Sequence, residues 1–334
     1  MNDSENRAAP AAAAETASPE PRRKRRRRGG LECKLGLLIG IGGLIGTRLG
    51  QLWIAFDVFA QFTLQFAIVT LAFLVALVLP RGRLTVAFLL IIAGLLAIGV
   101  WPHVASRSPQ VIGAAKPGEQ VITVASFNTW YDNAQSEAIA AEVERLDADI
   151  MTLIEVGPGN RAILEHLRAK YPYQADCFRI DFCDLAILSK FPVTEHSGKE
   201  DWDGPSMIMA KLGPEAGGLT VIGVHTIRFP HSRAQLHQVQ ALGRLIETIS
   251  GPKLMMGDFN ATPFSRITST ISDHTGMLRL TQLPSWPSRI DLPQVAIDHI
   301  FVSPGIHPVE DERIGNPAGS DHYPVTMKLA LPAR

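Results

Sequence analysis

The feature that most constrains this chain is the apolar stretch from Leu35 to Trp101. It divides into three segments, at about 35–54, 60–80 and 84–101. Each approaches the ~20 residues needed to cross a ~30 Å hydrocarbon layer. A secretory signal peptide, with its single short apolar core, does not account for that length. Three membrane-spanning helices are therefore expected within 31–101, the first interrupted by Arg48 and several glycines. Immediately before them, Arg22 to Arg28 holds 7 of the 32 Lys and Arg. In that position the run reads as a cytoplasmic topology signal drawn to anionic lipid rather than as a nucleic-acid arm. Arg81 and Arg83 mark the connection between the second and third segments as cytoplasmic too. The chain after Trp101 then lies outside the cytoplasmic membrane, and Asp57 falls in a short outer loop where its carboxylate stays hydrated.

Residues 1–30, rich in Ala, Pro, Glu and Ser beside the Arg cluster, contain almost nothing to bury and are expected to be a disordered tail. Outside the Arg run, 25 basic residues face 32 acidic ones. That balance argues against a broad footprint for nucleic acid in the folded part. Cys33 sits at the cytoplasmic end of the first span. Cys177 and Cys183 fall in the outer domain, where both a disulfide and two buried free thiols are compatible with the sequence.

After a linker at 102–118, short β-branched runs alternate with amphipathic helices, and a catalytic domain spans 119–334. Strands are expected at Val121 to Phe127, Ile150 to Ile154, 184–190, 206–212, 219–225, Lys253 to Met256, 297–302 and 323–330. Helices are expected around Ile139, Val143 and Leu146, over 159–169, and after Ser232 as an N-cap. The domain is mixed α/β, large enough to bury two packed sheets with helices outside.

Chemistry-bearing residues sit at the ends of these strands, where loops present side chains from a rigid frame. They are Ser126-Phe127-Asn128-Thr129-Trp130, Ile154-Glu155, His225, Gly257-Asp258-Phe259-Asn260, Asp298-His299 and Ser320-Asp321-His322. Singly, each has an ordinary structural explanation: a turn residue, a solvated strand end, a satisfied core histidine. Together and in this order they resemble the endonuclease/exonuclease/phosphatase superfamily. That group includes DNA-repair endonucleases, inositol-polyphosphate phosphatases and neutral sphingomyelinases, and the resemblance covers about 120–330.

The resemblance implies a four-layer αββα sandwich of two mixed β-sheets flanked by helices, here preceded by the three spans. It implies Mg²⁺, with Mn²⁺ as the alternative, held by Glu155 with Asn128 and Asp321; such hard cations take few carboxylates and substrate oxygens. Asp258 would activate water or protonate the leaving group. His322, oriented by Asp298, would hold or protonate a phosphate oxygen, and Asn260 and His225 would bind the phosphate. Arg228, with His231 and Arg233 nearby, is a candidate clamp for a second phosphate. Trp286-Pro287 is a candidate cleft wall.

With the Arg-rich tail and spans, the chain resembles a bacterial subgroup associated with vancomycin and teicoplanin resistance. That implies a multi-pass protein acting at the outer membrane face on undecaprenyl pyrophosphate or a related lipid carrier, in contact with anionic lipid. A tethered nuclease acting on extracellular DNA, a sphingomyelinase-like phosphodiesterase and a catalytically dead binding domain are the alternatives. No protein partner is evident.

Overall fold

A computed structural model of the protein describes residues 23–78, 112–199, 202–291 and 294–333. The N-terminal part is a hairpin: α1 (Arg23–Leu52), a 3-10 segment at Ile54–Phe62, and α2 (Thr63–Val78). Among the described residues two stretches, Leu31–Leu52 and Ile54–Leu77, are long and apolar enough to cross a membrane. The third expected span at 84–101, with Arg81 and Arg83, lies outside the described residues. So does most of the linker. Helix α1 reaches back to Arg23, into the stretch expected to be a tail. Arg and Lys are good helix formers, and a helix already nucleated by the apolar turns propagates at little cost.

The glycines of α1 form the contact with α2 and with the turn. Side chains placed on Gly36, Gly40, Gly43 and Gly46 would overlap Phe73, Thr70, Phe66 and Phe59 respectively, and one on Gly50 would meet the backbone of Asp57. Their absence lets the two backbones approach, as small residues do between membrane helices. Meanwhile Leu35, Leu38, Ile39, Ile45 and Ile68 are exposed on the outside of the hairpin.

The domain contains β1 (Gln120–Asn128), α3 (Ser136–Leu146), β2 (Ile150–Ile154), α4 (Ile163–His166), β3 (Tyr173–Asp176), β4 (Ala186–Ser189) and β5 (Val193–Gly198). It continues with β6 (Ser206–Leu212), β7 (Thr220–His225), α5 (Ser232–Glu247), β8 (Lys253–Asp258), α6 (Arg266–Thr275) and β9 (Leu278–Arg279). Last come β10 (Asp298–Val302), β11 (His307–Pro308), β12 (Arg313–Ile314) and β13 (Val325–Leu331). One sheet runs β11-β13-β1-β2-β4-β3 with β12 paired to β13, and the other runs β5-β6-β7-β8-β10-β9. Each has a central parallel pair, β1–β2 or β7–β8, flanked by antiparallel neighbours.

Both faces of each sheet are covered, which is why the central strands read as continuous apolar runs. Ile122 and Val124 of β1, Val221 of β7 and Leu254 and Met256 of β8 meet between the sheets. Phe127 and Leu153 pack under α3 and α4, and Ile222, Met255 and Phe301 pack under α5 and α6. The αββα sandwich is thus present. Ser232 is the first residue of α5 rather than its cap, which is His231, and the Ser232 hydroxyl is buried without a partner. Cys177 and Cys183 are joined as a disulfide.

His299, beside Asp298 in sequence, faces away from it because neighbours on a strand point to opposite sides. Its ring lies among Phe259 and Phe301. Nε2 donates to Ala261 O at 2.8 Å, and Nδ1 accepts from Thr281 Oγ1 at 3.0 Å. Only the neutral ring satisfies both bonds. Burial, aided by the Arg279 charge, depresses its pKa to about 3. Below its ordinary value near 6.5 the unfolded chain therefore binds a proton that the folded chain refuses, so this residue costs stability as pH falls from about 6.5 towards 3. Unfolding measured against pH should show wild type losing up to about 1.4 kcal/mol per pH unit relative to His299→Gln across that window. Parallel pH profiles for the two proteins would contradict the assignment.

Candidate active site

The parallel pairs decide where the site forms. Strands β1, β2, β7 and β8 deliver their carboxyl ends to one rim of the sandwich, and antiparallel β10 and β13 begin there. Register places His225 opposite Asp258 and Asp258 opposite Asp298. Gly257 allows the β7–β8 pair to close at this point, since a side chain there would overlap the carbonyl of Val224. Glu155 and Asn260 leave their strands in left-handed backbone, at φ 56° and 45°. For a Glu that conformation is a strain of the kind concentrated at functional sites.

At the rim, Asn128 bridges the two sheets. Its Nδ2 donates to Glu155 Oε1 at 3.0 Å and to Asp258 Oδ2 at 3.1 Å, while its Oδ1 accepts from Trp130 N at 3.0 Å. The other Glu155 oxygen accepts from Tyr131 N at 3.0 Å. Asp258 Oδ1 accepts from Asn260 N at 2.7 Å, and the Asn260 amide is turned to Thr226 O at 3.1 Å. Ser320 ties the last loop to β1 through Asn128 O at 2.7 Å and accepts from His322 N.

Two imidazoles flank this core, each with its own carboxylate. His322 Nδ1 is 2.8 Å from Asp298 Oδ2, and its Nε2 is 3.7 Å from Asp258 Oδ2. His225 lies opposite, with Nε2 3.6 Å from Glu155 Oε1 and Nδ1 3.7 Å from Asp184 Oδ1. Burial alone would lower both imidazolium pKa values. The surrounding carboxylates outweigh it and carry His225 to about 9, through Asp184, Asp258 and Glu155, and His322 to about 10, through Asp298, Asp258 and Asp321. Asp258 is pushed up to about 6, first by burial and then by the charge of Asp298. Both rings are therefore cationic at neutral pH and suited to hold an anionic oxygen.

The donor set fits a hard divalent cation. The carboxylates of Glu155 and Asp258 lie within 4.8 Å of one another, as do those of Asp258 and Asp298, and the two protonated imidazoles stand beside them as anion holders rather than as ligands. Buried carboxylate oxygens of Asp184 and Asp298 have no hydrogen-bond partner. An oxygen-rich, crowded set of this kind suits Mg²⁺ or Mn²⁺ rather than a thiolate-seeking metal.

These groups line a cleft of about 1200 Å³, with Arg161, Phe178, Phe182, Arg228, Phe229, Trp286 and Asp321 around it. Of the site residues expected from the sequence, Glu155, His225, Arg228, Asp258, Asn260, Asp321 and His322 line it, while Asn128 and Asp298 are buried behind that lining. Asp298 supports His322 from behind and does not itself line the cleft. Asn128 presents its amide nitrogen to the carboxylates, its oxygen being taken by Trp130 N. Asp321 Oδ2 accepts from Trp286 Nε1 at 3.3 Å. His231 and Arg233 are exposed and outside the cleft lining. Sequence reasoning missed Asp184, the carboxylate behind His225, and Arg161, whose guanidinium lies 4.2 Å over the Phe178 ring. Asp184 falls at the start of the strand expected at 184–190, with nothing near it in sequence to pair it with His225.

A sequence profile of the Endonuclease/Exonuclease/phosphatase family matches residues 125–322. The chain belongs to that family. Its members are metal-dependent phosphoester hydrolases. Similar solved structures agree on the fold. An endonuclease/exonuclease/phosphatase protein from Bacteroides vulgatus is 21% identical with a TM-score of 0.51, covering 64% of this chain and 99% of that one. Another from Beutenbergia cavernae is 17% identical with a TM-score of 0.52, covering 64% of this chain and 72% of that one. A third from Bacteroides thetaiotaomicron is 17% identical at a TM-score of 0.50, covering 64% and 98%. No curated protein matches significantly. In this endonuclease/exonuclease/phosphatase domain, Asp298→Asn should lower kcat for bis(4-nitrophenyl) phosphate with Mg²⁺ on the order of 10²-fold or more, because His322 loses the negative charge that its Nδ1 faces. An unchanged kcat would show that His322 does not take part.

Proposed function

We propose that the protein is a membrane-anchored, Mg²⁺-dependent hydrolase of a lipid-carried phosphate or pyrophosphate, with undecaprenyl pyrophosphate as the best candidate substrate. The observation that carries this reading is the junction between the apolar hairpin and the cleft. Phe62, at the end of the turn, packs edge-on against Phe229 at 5.9 Å between ring centroids, and Phe229 lines the cleft beside Arg228. A site fixed this close to its own anchor meets its substrate at the bilayer surface, where the phosphate of a lipid carrier is concentrated.

The same contact supports the expected topology. The domain packs on the 54–62 turn, and the three-span reading of the sequence supplies one further crossing between α2 and the domain. The apolar run at 84–101 has the length for that crossing. With the Arg run inside, the turn and the domain are extracytoplasmic. The exposed leucines and isoleucines of the hairpin suit contact with lipid.

Glu155, with Asp258 close by, would hold the cation, which when bound polarises a phosphoryl oxygen and offsets charge in the transition state. His225 and His322, kept cationic by Asp184 and Asp298, hold the phosphoryl oxygens. Asp258, titrating near neutrality, exchanges a proton with the attacking water or the leaving oxygen. Arg161 and Arg228, on the cleft lining, are suited to a second phosphate and so favour a pyrophosphate anhydride over an ester of a single phosphate. A nuclease reading is less well supported because the domain has no excess of basic residues. Full-length protein in detergent with Mg²⁺ should release phosphate from undecaprenyl pyrophosphate, and release should vanish with chelator and in Asp258→Asn. DNA nicking or sphingomyelin cleavage without phosphate release would redirect the substrate assignment.

A further inference from the structure

The turn between the two apolar helices does more than join them. Asp57 is fully buried, in contrast to the hydrated loop position expected from sequence. Its Oδ2 accepts from Ser265 Oγ at 2.5 Å and its Oδ1 from Arg266 N at 2.7 Å, at the start of α6. Gln61 Oε1 accepts from Thr262 N at 2.7 Å, and Ala60 O accepts from Thr262 Oγ1 at 3.0 Å. Gln51 Nε2 reaches Phe264 O at 3.3 Å. Every one of these bonds falls on the segment 262–266.

That segment continues directly from Asp258-Phe259-Asn260. The domain grips the first half of the loop: Gln235 Nε2 donates to Phe259 O and Asn260 O, Thr226 Oγ1 donates to Phe259 O, and His299 donates to Ala261 O. The second half is gripped by the membrane hairpin. A loop whose first residue must point a carboxylate at the reacting centre, and whose third adopts left-handed backbone, is thus fixed at both ends by different parts of the chain.

We propose that Asp57 is a positioning residue for the catalytic loop 258–260, so that the anchor forms part of the framework of the active site. Asp57 is buried and is not part of the cleft lining. It fixes Ser265 and Arg266, and through them the path of the loop on which Asp258 and Asn260 sit. The proposal rests on the reading of the cleft as a phosphoester-hydrolysing site but not on which lipid it serves.

The test uses full-length protein in detergent with Mg²⁺ and two substrates, soluble bis(4-nitrophenyl) phosphate and undecaprenyl pyrophosphate. Asp57→Ala should lower kcat roughly 10-fold or more on every substrate that wild type turns over, with KM changed by less than about 3-fold, since small displacements of a catalytic group cost rate rather than binding. Backbone hydrogen exchange should rise in 258–266 and stay at wild-type levels in the sheet of β1 and β2. Asp57→Asn, which still accepts from Arg266 N, should recover most of the loss. Leu38→Ala, on the exposed face of α1, should behave as wild type. If Asp57→Ala fails to fold, Thr262→Val removes one anchor bond at nearly constant volume and should give a smaller kcat loss with the same local exchange signature. Wild-type kcat and exchange in folded Asp57→Ala, or a rise in exchange spread evenly over the domain, would overturn the proposal. Wild type inactive on both substrates would refute the proposed function instead, and the exchange pattern would still decide whether Asp57 positions the loop.

Discussion

Carboxylate crowding is the constraint around which this domain is organised. Glu155, Asp184, Asp258, Asp298 and Asp321 converge on one rim, and bringing like charges together out of water is unfavourable unless something offsets them. The fold supplies part of that compensation. Asn128 donates to Glu155 and Asp258 at once, the backbone N–H groups of Tyr131 and Asn260 donate to the other oxygens of the same two carboxylates, and two histidines carry positive charge where burial alone would have removed it. What remains uncompensated makes a divalent cation a fitting occupant. The strain at Glu155 belongs to the same account, because a strand end in ordinary extended backbone would carry its carboxylate away from the rim.

The sandwich explains how residues so far apart in sequence converge. Two parallel pairs, one per sheet, end at the same edge, and antiparallel partners bring in the starts of β10 and the segment before β13. A symmetric histidine–carboxylate arrangement follows: His225 with Asp184 on one side, His322 with Asp298 on the other. Both sheets contribute one member of each function, so the site is stable only when the two sheets are packed together.

Much of this was legible in the sequence, for identifiable reasons. The central strands are buried on both faces and so announce themselves as short β-branched runs; Ile150 to Ile154 and 206–212 fall where those runs lie. The site residues were legible because they cluster in short segments at strand ends. What escaped was set by contacts between distant segments. Helix α6 begins where Ser265 caps it, but its amino end is completed by Asp57, more than two hundred positions earlier. Asp184 gains meaning only when β7 brings His225 beside it. The edge strand β5 lacks an apolar signature because none of its residues is buried, and β11 is only two residues long. Asp57 itself was misread since hydropathy treats an acid between two apolar runs as a loop residue in water.

The glycine row of α1 sets a limit on how the apolar hairpin can change over time. A tether that merely holds a domain at a bilayer accepts almost any apolar exchange, and its sequence drifts freely within that composition. Here the spacing of the two helices fixes where the turn emerges, and the turn is matched to a catalytic loop. The hairpin should therefore diverge in its exposed leucines and isoleucines while keeping Gly40, Gly43 and Gly46. An apolar hairpin transplanted from an unrelated protein would supply the same composition without restoring the match.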